Sequence, residues 1–273
     1  PVQASDFSVG VAGFKLAPTG NRVAVWSAIP RDCAEFGCPA PTASPEEAKA
    51  TGREYDEYFV RHWTSWREPG VYNRIFAFDV ANGKVTGLGT PLDGSITGNA
   101  PTDPFGGGEE LNWSTDGNTL YYTLREANAM EPRSTDLDIY AAAADGSRLD
   151  NLTDANQATD TMPTPSPDGR YLAYAAMARP GYESDRLVLM LRDLASGETQ
   201  ALTQGWDRSV GSIAWAPDSS HLIVTAGDTL DHPAYMIALD GTVSRLTQRG
   251  NVGDVIPMAD GSMLYTKNSI QAP

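Results

Sequence analysis

The chain has 273 residues, 35 acidic and 20 basic side chains and a formal charge of −15. So acidic a surface cannot displace counterions from nucleic-acid phosphates or settle on an anionic membrane. No apolar run approaches the ~20 residues that span a bilayer, and a hydrophobic share of 41% suffices for a core. Residues 1–10 carry neither a basic n-region nor an apolar h-region, so no signal peptide is expected. The missing initiator Met reads as a processed or excised piece.

From the N-terminus, the turn Leu16-Ala17-Pro18-Thr19-Gly20 precedes a short apolar run, Val23 to Trp26. A second run, Arg74 to Val80, ends in the hairpin signal Asn82-Gly83. Between them lies an insertion of about residues 30–70. Its two cysteines, Cys33 and Cys38, could bind zinc only with two further ligands, and His62, His221 and His232 are scattered. A local disulfide is favoured over two free thiols, and it would imply an oxidising compartment. Ser44-Pro45-Glu46-Glu47 supplies a capping Ser, Pro at the first helical position and Glu at the third, so a short helix to about Ala50 is expected. Tyr55 to Trp66 fits both helical and alternating spacing; the turn Glu68-Pro69-Gly70 and the strand after it favour a hairpin arm.

The remainder is repetitive. Trp113-Ser114-Thr115-Asp116-Gly117, Pro165-Ser166-Pro167-Asp168-Gly169, Trp215-Ala216-Pro217-Asp218-Ser219 and Pro257-Met258-Ala259-Asp260-Gly261 read alike, with their aspartates 52, 50 and 42 residues apart. Each is followed by an apolar run, most by a second run ending in Asp145-Gly146, Ser196-Gly197 or Asp240-Gly241, and three units close on Leu-Thr at 152–153, 202–203 and 246–247. The dipeptides are expected to supply the φ > 0 positions of tight hairpins. The aspartates are read as turn residues. Four short antiparallel strands every 40–50 residues is the pattern of a propeller blade; irregular hairpins in a β-sandwich are the alternative.

The expected fold is therefore all-β: one propeller segment over 1–273, with about four and a half four-stranded blades and a partly helical insertion in the first. Blades are expected at about 11–91, 109–154, 161–203 and 210–247, with half a blade at 253–270. A half blade exposes unpaired edges, which suggests an interior excerpt of a larger propeller; the alternative is a five-blade ring closed by residues 1–10.

Four segments carry a resemblance to a known family. They are Asp56-Glu57-Tyr58-Phe59-Val60-Arg61-His62-Trp63, Pro104-Phe105-Gly106-Gly107-Gly108-Glu109-Glu110, Ser166 to Tyr174, and Trp206-Asp207-Arg208-Ser209. Together they resemble the propeller of bacterial serine peptidases of the prolyl oligopeptidase family, of the dipeptidyl and acylaminoacyl peptidase kinds. The turn at Ser166 is shared with TolB-type propellers; the Arg61 and Phe105 segments are more specific.

The resemblance implies a periplasmic or secreted protein without a cofactor, whose partner is an α/β-hydrolase domain missing from this chain and whose substrates are short peptides. It implies that the propeller gates their entry and that carboxylates can hold a substrate's free N-terminus. Glu109 and Glu110, after three glycines expected to turn the chain sharply, are the candidates; the alternative is that both are solvated or that one pairs with an Arg. Arg61, His62, Trp63 and Trp66 form a second candidate cluster, or else a structural arm. No catalytic residue is assigned, because Gly94-Ser95-Ile96-Thr97-Gly98 has its Ser one position early for a G-x-S-x-G elbow. Ser114 to Gly117 likewise fails as a sialidase Asp-box. A TolB-like binding module with no activity is the competing reading.

Overall fold

The structure, a computed structural model, describes residues 2–38, 51–52, 54–55, 59–62 and 64–269. It separates into two compact units, Pro1–Asp154 and Ala155–Pro273. The helix expected from Ser44 to about Ala50 lies outside the described residues, as does Trp63. No α-helix occurs among the described residues; two 3₁₀ turns, Gly108–Glu110 and Glu131–Arg133, are present.

The first unit begins with β1 (Gly13–Leu16) and β2 (Arg22–Pro30), continues through a small arm formed by β3 (Arg61–His62) and β4 (Ser65–Trp66), and returns as β5 (Val71–Ala81) and β6 (Lys84–Pro91). The sheet order is β1-β2-β5-β6, all antiparallel. Antiparallel pairing of Arg61–His62 with Ser65–Trp66 agrees with the expected hairpin arm at the end of this stretch; residues 56–58 lie outside the described residues.

The central strands bury both faces. On β2 and β5, Ala24, Trp26, Ile75 and Ala77 face one core cluster, while Val23, Val25, Phe76 and Phe78 face another. That is why these runs read as continuously apolar. The second cluster takes in Cys33 and Phe36 from the start of the insertion. Buried Arg74 ties that start down: it forks onto Asp93 at 2.5 and 3.0 Å and donates to the carbonyls of Pro30 and Cys33.

The second sheet differs from the expected blade. Its strands are β7 (Gly98–Asn99), β8 (Leu111–Trp113), β9 (Thr119–Glu126), β10 (Asp138–Ala143) and β11 (Leu149–Asn151). Both β7 and β8 pair with β9: Asn99 sits opposite Arg125, and Leu111 opposite Tyr122. The first strand is thus split, and the chain leaves β9 after Asn99 and rejoins it at Leu111. Sequence reasoning began this blade at 109 and missed β7. With only two residues, one of them Gly98, β7 has no side-chain pattern to read. A Cβ at Gly98 would lie 3.1 Å from the Arg125 carbonyl carbon, so the close pairing requires glycine.

The second unit holds two regular four-stranded sheets. One runs β12 (Asp160–Pro165), β13 (Tyr171–Ala176), β14 (Val188–Asp193) and β15 (Thr199–Ala201); the other runs β16 (Ser212–Trp215), β17 (His221–Thr225), β18 (Ala234–Ala238) and β19 (Val243–Arg245). The hairpin β20 (Asn251–Pro257) and β21 (Met263–Asn268) follows, as the half-blade pattern anticipates.

The repeated turns have a common chemistry. Ser114 and Ser166 donate to Asp116 and Asp168, and each serine oxygen accepts the backbone N–H of the next strand, at Thr119 and Tyr171. In the later copies Ser220 and Ser262 donate to Asp218 and Asp260 instead. These hydrogen bonds hold all four carboxyls below the usual Asp range. Of the hairpin dipeptides, Asn82-Gly83 has φ of 52° and 71°, as two positive-φ positions require. At Gly146, Gly197 and Gly241 only the glycine is left-handed, which corrects the expectation for Asp145, Ser196 and Asp240.

Candidate functional site

The segment between the two halves of the split strand carries the candidate acids. Glu109 and Glu110 lie on the 3₁₀ turn Gly108–Glu110, just before β8. They are not equivalent. Glu110 is buried at 6% exposure, and its carboxylate accepts from the Thr102 N–H at 2.7 Å and the Thr102 hydroxyl at 2.8 Å. Burial raises its pKa to about 7 in spite of those two hydrogen bonds, and Glu109 adds to the rise. Glu110 is therefore neither a solvated rim residue nor an arginine partner: it clamps the base of the loop.

Glu109 is exposed. Its nearby charge is Lys15, which donates to the Gly108 carbonyl at 3.0 Å and whose pKa is lowered by burial, with Glu109 opposing. The glycines before the pair do not use left-handed backbone; Gly106, Gly107 and Gly108 are absent from the positive-φ positions. Gly106 is needed for contact instead. A Cβ there would lie 2.6 Å from both the nitrogen and the oxygen of Thr102.

The arm supplies the second candidate cluster. Arg61 is exposed and lies over the Trp66 ring at 5.2 Å; Trp66 in turn stacks on Tyr55 at 6.1 Å. The anchor is Arg67, which sequence reasoning missed. It is buried, pairs with buried Glu131 at 2.9 Å, and its guanidinium lies over the rings of Phe59 and Tyr72. Arg125 reaches the same carboxylate at 3.7 Å. A pair so far apart in sequence leaves no local signal, and buried charge of this kind is tolerated only when matched.

Two segments singled out from the sequence converge here. The ring of His62 meets that of Phe105 edge-on at 5.9 Å. Trp66, Tyr72, Asn99, Asp103 and Phe105 help to line one cavity of about 460 Å³. Thr102, Asn99 and Asp103 carried no recognisable motif. Of the acidic pair only Glu109 is exposed, and neither Glu109 nor Arg61 is among the residues that line this cavity. Arg61 offers a stacked guanidinium.

Cys33 and Cys38 are paired, with their Cα atoms 5.9 Å apart. Among the described residues no group of three or more His, Cys, Asp or Glu could hold a metal ion, and no helix is long and apolar enough to cross a membrane.

No protein-family profile matches the chain. Dipeptidyl-peptidase 5 of Porphyromonas gingivalis is 30% identical over 270 residues, which is 97% of this chain and 38% of that relative's length. The chain thus spans less than half of the relative it matches. The acylaminoacyl peptidase of Pyrococcus horikoshii superposes with a TM-score of 0.61 at 13% identity, over 94% of this chain and 34% of that one. The β-propeller domain of the Trilobed protease from Pyrococcus furiosus superposes at 0.55 and 13% identity, over 96% and 62%. At such identities the superpositions establish the β-propeller fold alone. Taken with the homology along nearly the whole sequence, they make the chain a propeller segment of the prolyl oligopeptidase family.

Proposed function

We propose that the chain is the non-catalytic propeller segment of a periplasmic or secreted serine peptidase of the dipeptidyl type. In this reading it restricts entry of short peptides to an α/β-hydrolase domain outside this sequence, and it helps to hold the substrate's free N-terminus. The observation that carries the reading is the homology to dipeptidyl-peptidase 5 over 97% of the chain, in a sequence that itself contains no G-x-S-x-G elbow. A propeller fold alone would serve a TolB-like binding module equally well.

The acidic pair divides its labour. Glu109 meets the substrate ammonium group, and Glu110 acts by fixing the loop that presents it. Arg61 and Trp63 complete the proposed substrate contacts from the arm. A Cys33–Cys38 disulfide agrees with an oxidising compartment.

The test is Glu109→Gln in the full-length protein, assayed on a free-amine dipeptide substrate and on its N-acylated counterpart. A charge-assisted hydrogen bond is worth roughly 1.5–3 kcal/mol, so kcat/KM should fall by about tenfold or more. The fall should be confined to the free-amine substrate, because acylation removes the charge. Equal rates for variant and parent would return Glu109 to the solvated rim. A full-length protein with no hydrolytic activity would favour the binding module.

A further inference from the structure

Asn99 ends the first half of the split strand and is 3% exposed. Its Oδ1 accepts the N–H of Asn73 at 3.0 Å, which fixes the orientation of the amide. Its Nδ2 is enclosed and makes no hydrogen bond among the described residues. A buried amide donor left in this way carries the desolvation cost of a missing partner. The neighbouring Asn73 is engaged elsewhere: its side-chain N–H donates to the Pro101 carbonyl at 3.2 Å, and its backbone carbonyl accepts from Ala100 N–H at 2.9 Å.

Asn99 stands in the wall of the 460 Å³ cavity, between the arm and the loop that follows β7. Two aromatic side chains with much of their surface in water border the same space, Trp66 at 53% and Phe105 at 69% exposure. Asp103 adds a carboxylate that has no cationic partner among the described residues. The positive charge of Arg67, also in the wall, is matched by Glu131.

We propose that this cavity is a peptide-binding subsite: Asn99 Nδ2 donates to a main-chain carbonyl of an extended peptide, Trp66 and Phe105 flank an apolar side chain, and Asp103 disfavours an acidic one. The inference rests on the peptidase-propeller reading and adds a subsite that needs no substrate ammonium. A carbonyl matches the missing partner of Asn99; because Nδ2 is enclosed, the proposal requires the wall to open enough to admit it. The two exposed aromatic rings favour a peptide with an apolar side chain. The Thr64 and Ser65 hydroxyls in the same wall could instead meet a sugar, and methyl glucoside is the control for that.

The probe is N-acetyl-alanyl-phenylalaninamide, which has no free amine and so does not report on Glu109. The readout on the full chain is the side-chain amide signal pair of Asn99 in a ¹⁵N–¹H spectrum, assigned by its loss in Asn99→Asp. Asp keeps an acceptor for the Asn73 N–H. The Asn99 pair should shift saturably with the peptide. Trp66→Ala and Phe105→Ala, both at exposed side chains, should each weaken binding by about tenfold. The corresponding glutamate peptide should bind more weakly than the phenylalanine one, and Asp103→Asn should narrow that gap. An Asn99 pair unmoved by about 10 mM peptide would overturn the proposal; so would binding that survives both aromatic truncations, or a shift produced by methyl glucoside and not by the peptide. Hydrolysis of a free-amine dipeptide by the full-length parent protein is a separate readout, so the subsite can fail while the peptidase reading stands.

Discussion

Glu110 is an acid buried where its ionised form is costly, and its pH signature follows from that. Its pKa in the folded chain is about 7, above the model-peptide value of 4.5. Between those values the folded state keeps a proton that the unfolded state has lost. Stability is therefore greatest below the lower value and falls as pH rises toward the upper one, by at most about 1.4 kcal/mol per pH unit. Asp136 acts in the same direction, raised to about 6 by burial and by Asp138, Glu126 and Asp154. Glu110→Gln keeps an acceptor for the Thr102 N–H and removes the charge. Urea unfolding between pH 4.5 and 8 should show a flatter profile for this variant than for the parent, and an unchanged slope would mean that Glu110 does not titrate in this window. The cysteine pair gives a second residue-level prediction. Mass spectrometry should show a two-proton difference between untreated and reduced protein, and two alkylatable thiols in the untreated chain would refute the bond. Because the loop closed is so short, losing the disulfide should cost only about 2 kcal/mol.

At the scale of elements, the Leu-Thr pairs that close three units show what a sequence repeat can and cannot disclose. Their recurrence is visible in the chain, but their purpose is not, because each threonine acts on the strand before it. The hydroxyls of Thr153, Thr203 and Thr247 accept the backbone N–H groups of Ile139, Leu189 and Ala234, near the start of the third strand of each sheet. Those N–H groups are buried with their residues, so each hydroxyl satisfies a donor that the sheet ladder does not reach. Thr203→Val preserves shape and removes the acceptor. It should cost about 1–3 kcal/mol in urea unfolding, whereas Thr203→Ser should stay close to the parent. A valine variant as stable as the parent would show that the Leu189 N–H finds another partner. The turns at Asp116 and Asp168, by contrast, were legible as turns, since serine, aspartate and strand start lie within five residues of one another.

For the molecule as a whole, the blade pattern was readable because each sheet is built from neighbours in sequence, with a turn signal at a fixed strand boundary. The candidate site was readable only in outline. Its motifs at Arg61 and Phe105 stood out, but what brings them together is an ion pair between Arg67 and Glu131 and a clamp between Thr102 and Glu110, neither of which repeats. The same contrast between local and long-range geometry bears on catalysis. Among the described residues Ser220 and His221 form a serine–histidine contact, Oγ to Nδ1 at 2.8 Å. It has the wrong order for a nucleophile. The carboxylate of Asp218 binds the serine hydroxyl itself at 2.7 Å, whereas a triad needs the acid on the far side of the imidazole. The serine lies in an exposed Asp turn and has no strained elbow to present it. A fluorophosphonate probe should therefore leave this chain unlabelled and, in the full-length protein, should label a peptide outside these 273 residues. Peptide mapping distinguishes the outcomes. Stoichiometric modification at Ser220 would make the turn a catalytic centre and overturn the non-catalytic assignment, and a full-length protein left unlabelled would remove the serine-peptidase reading altogether.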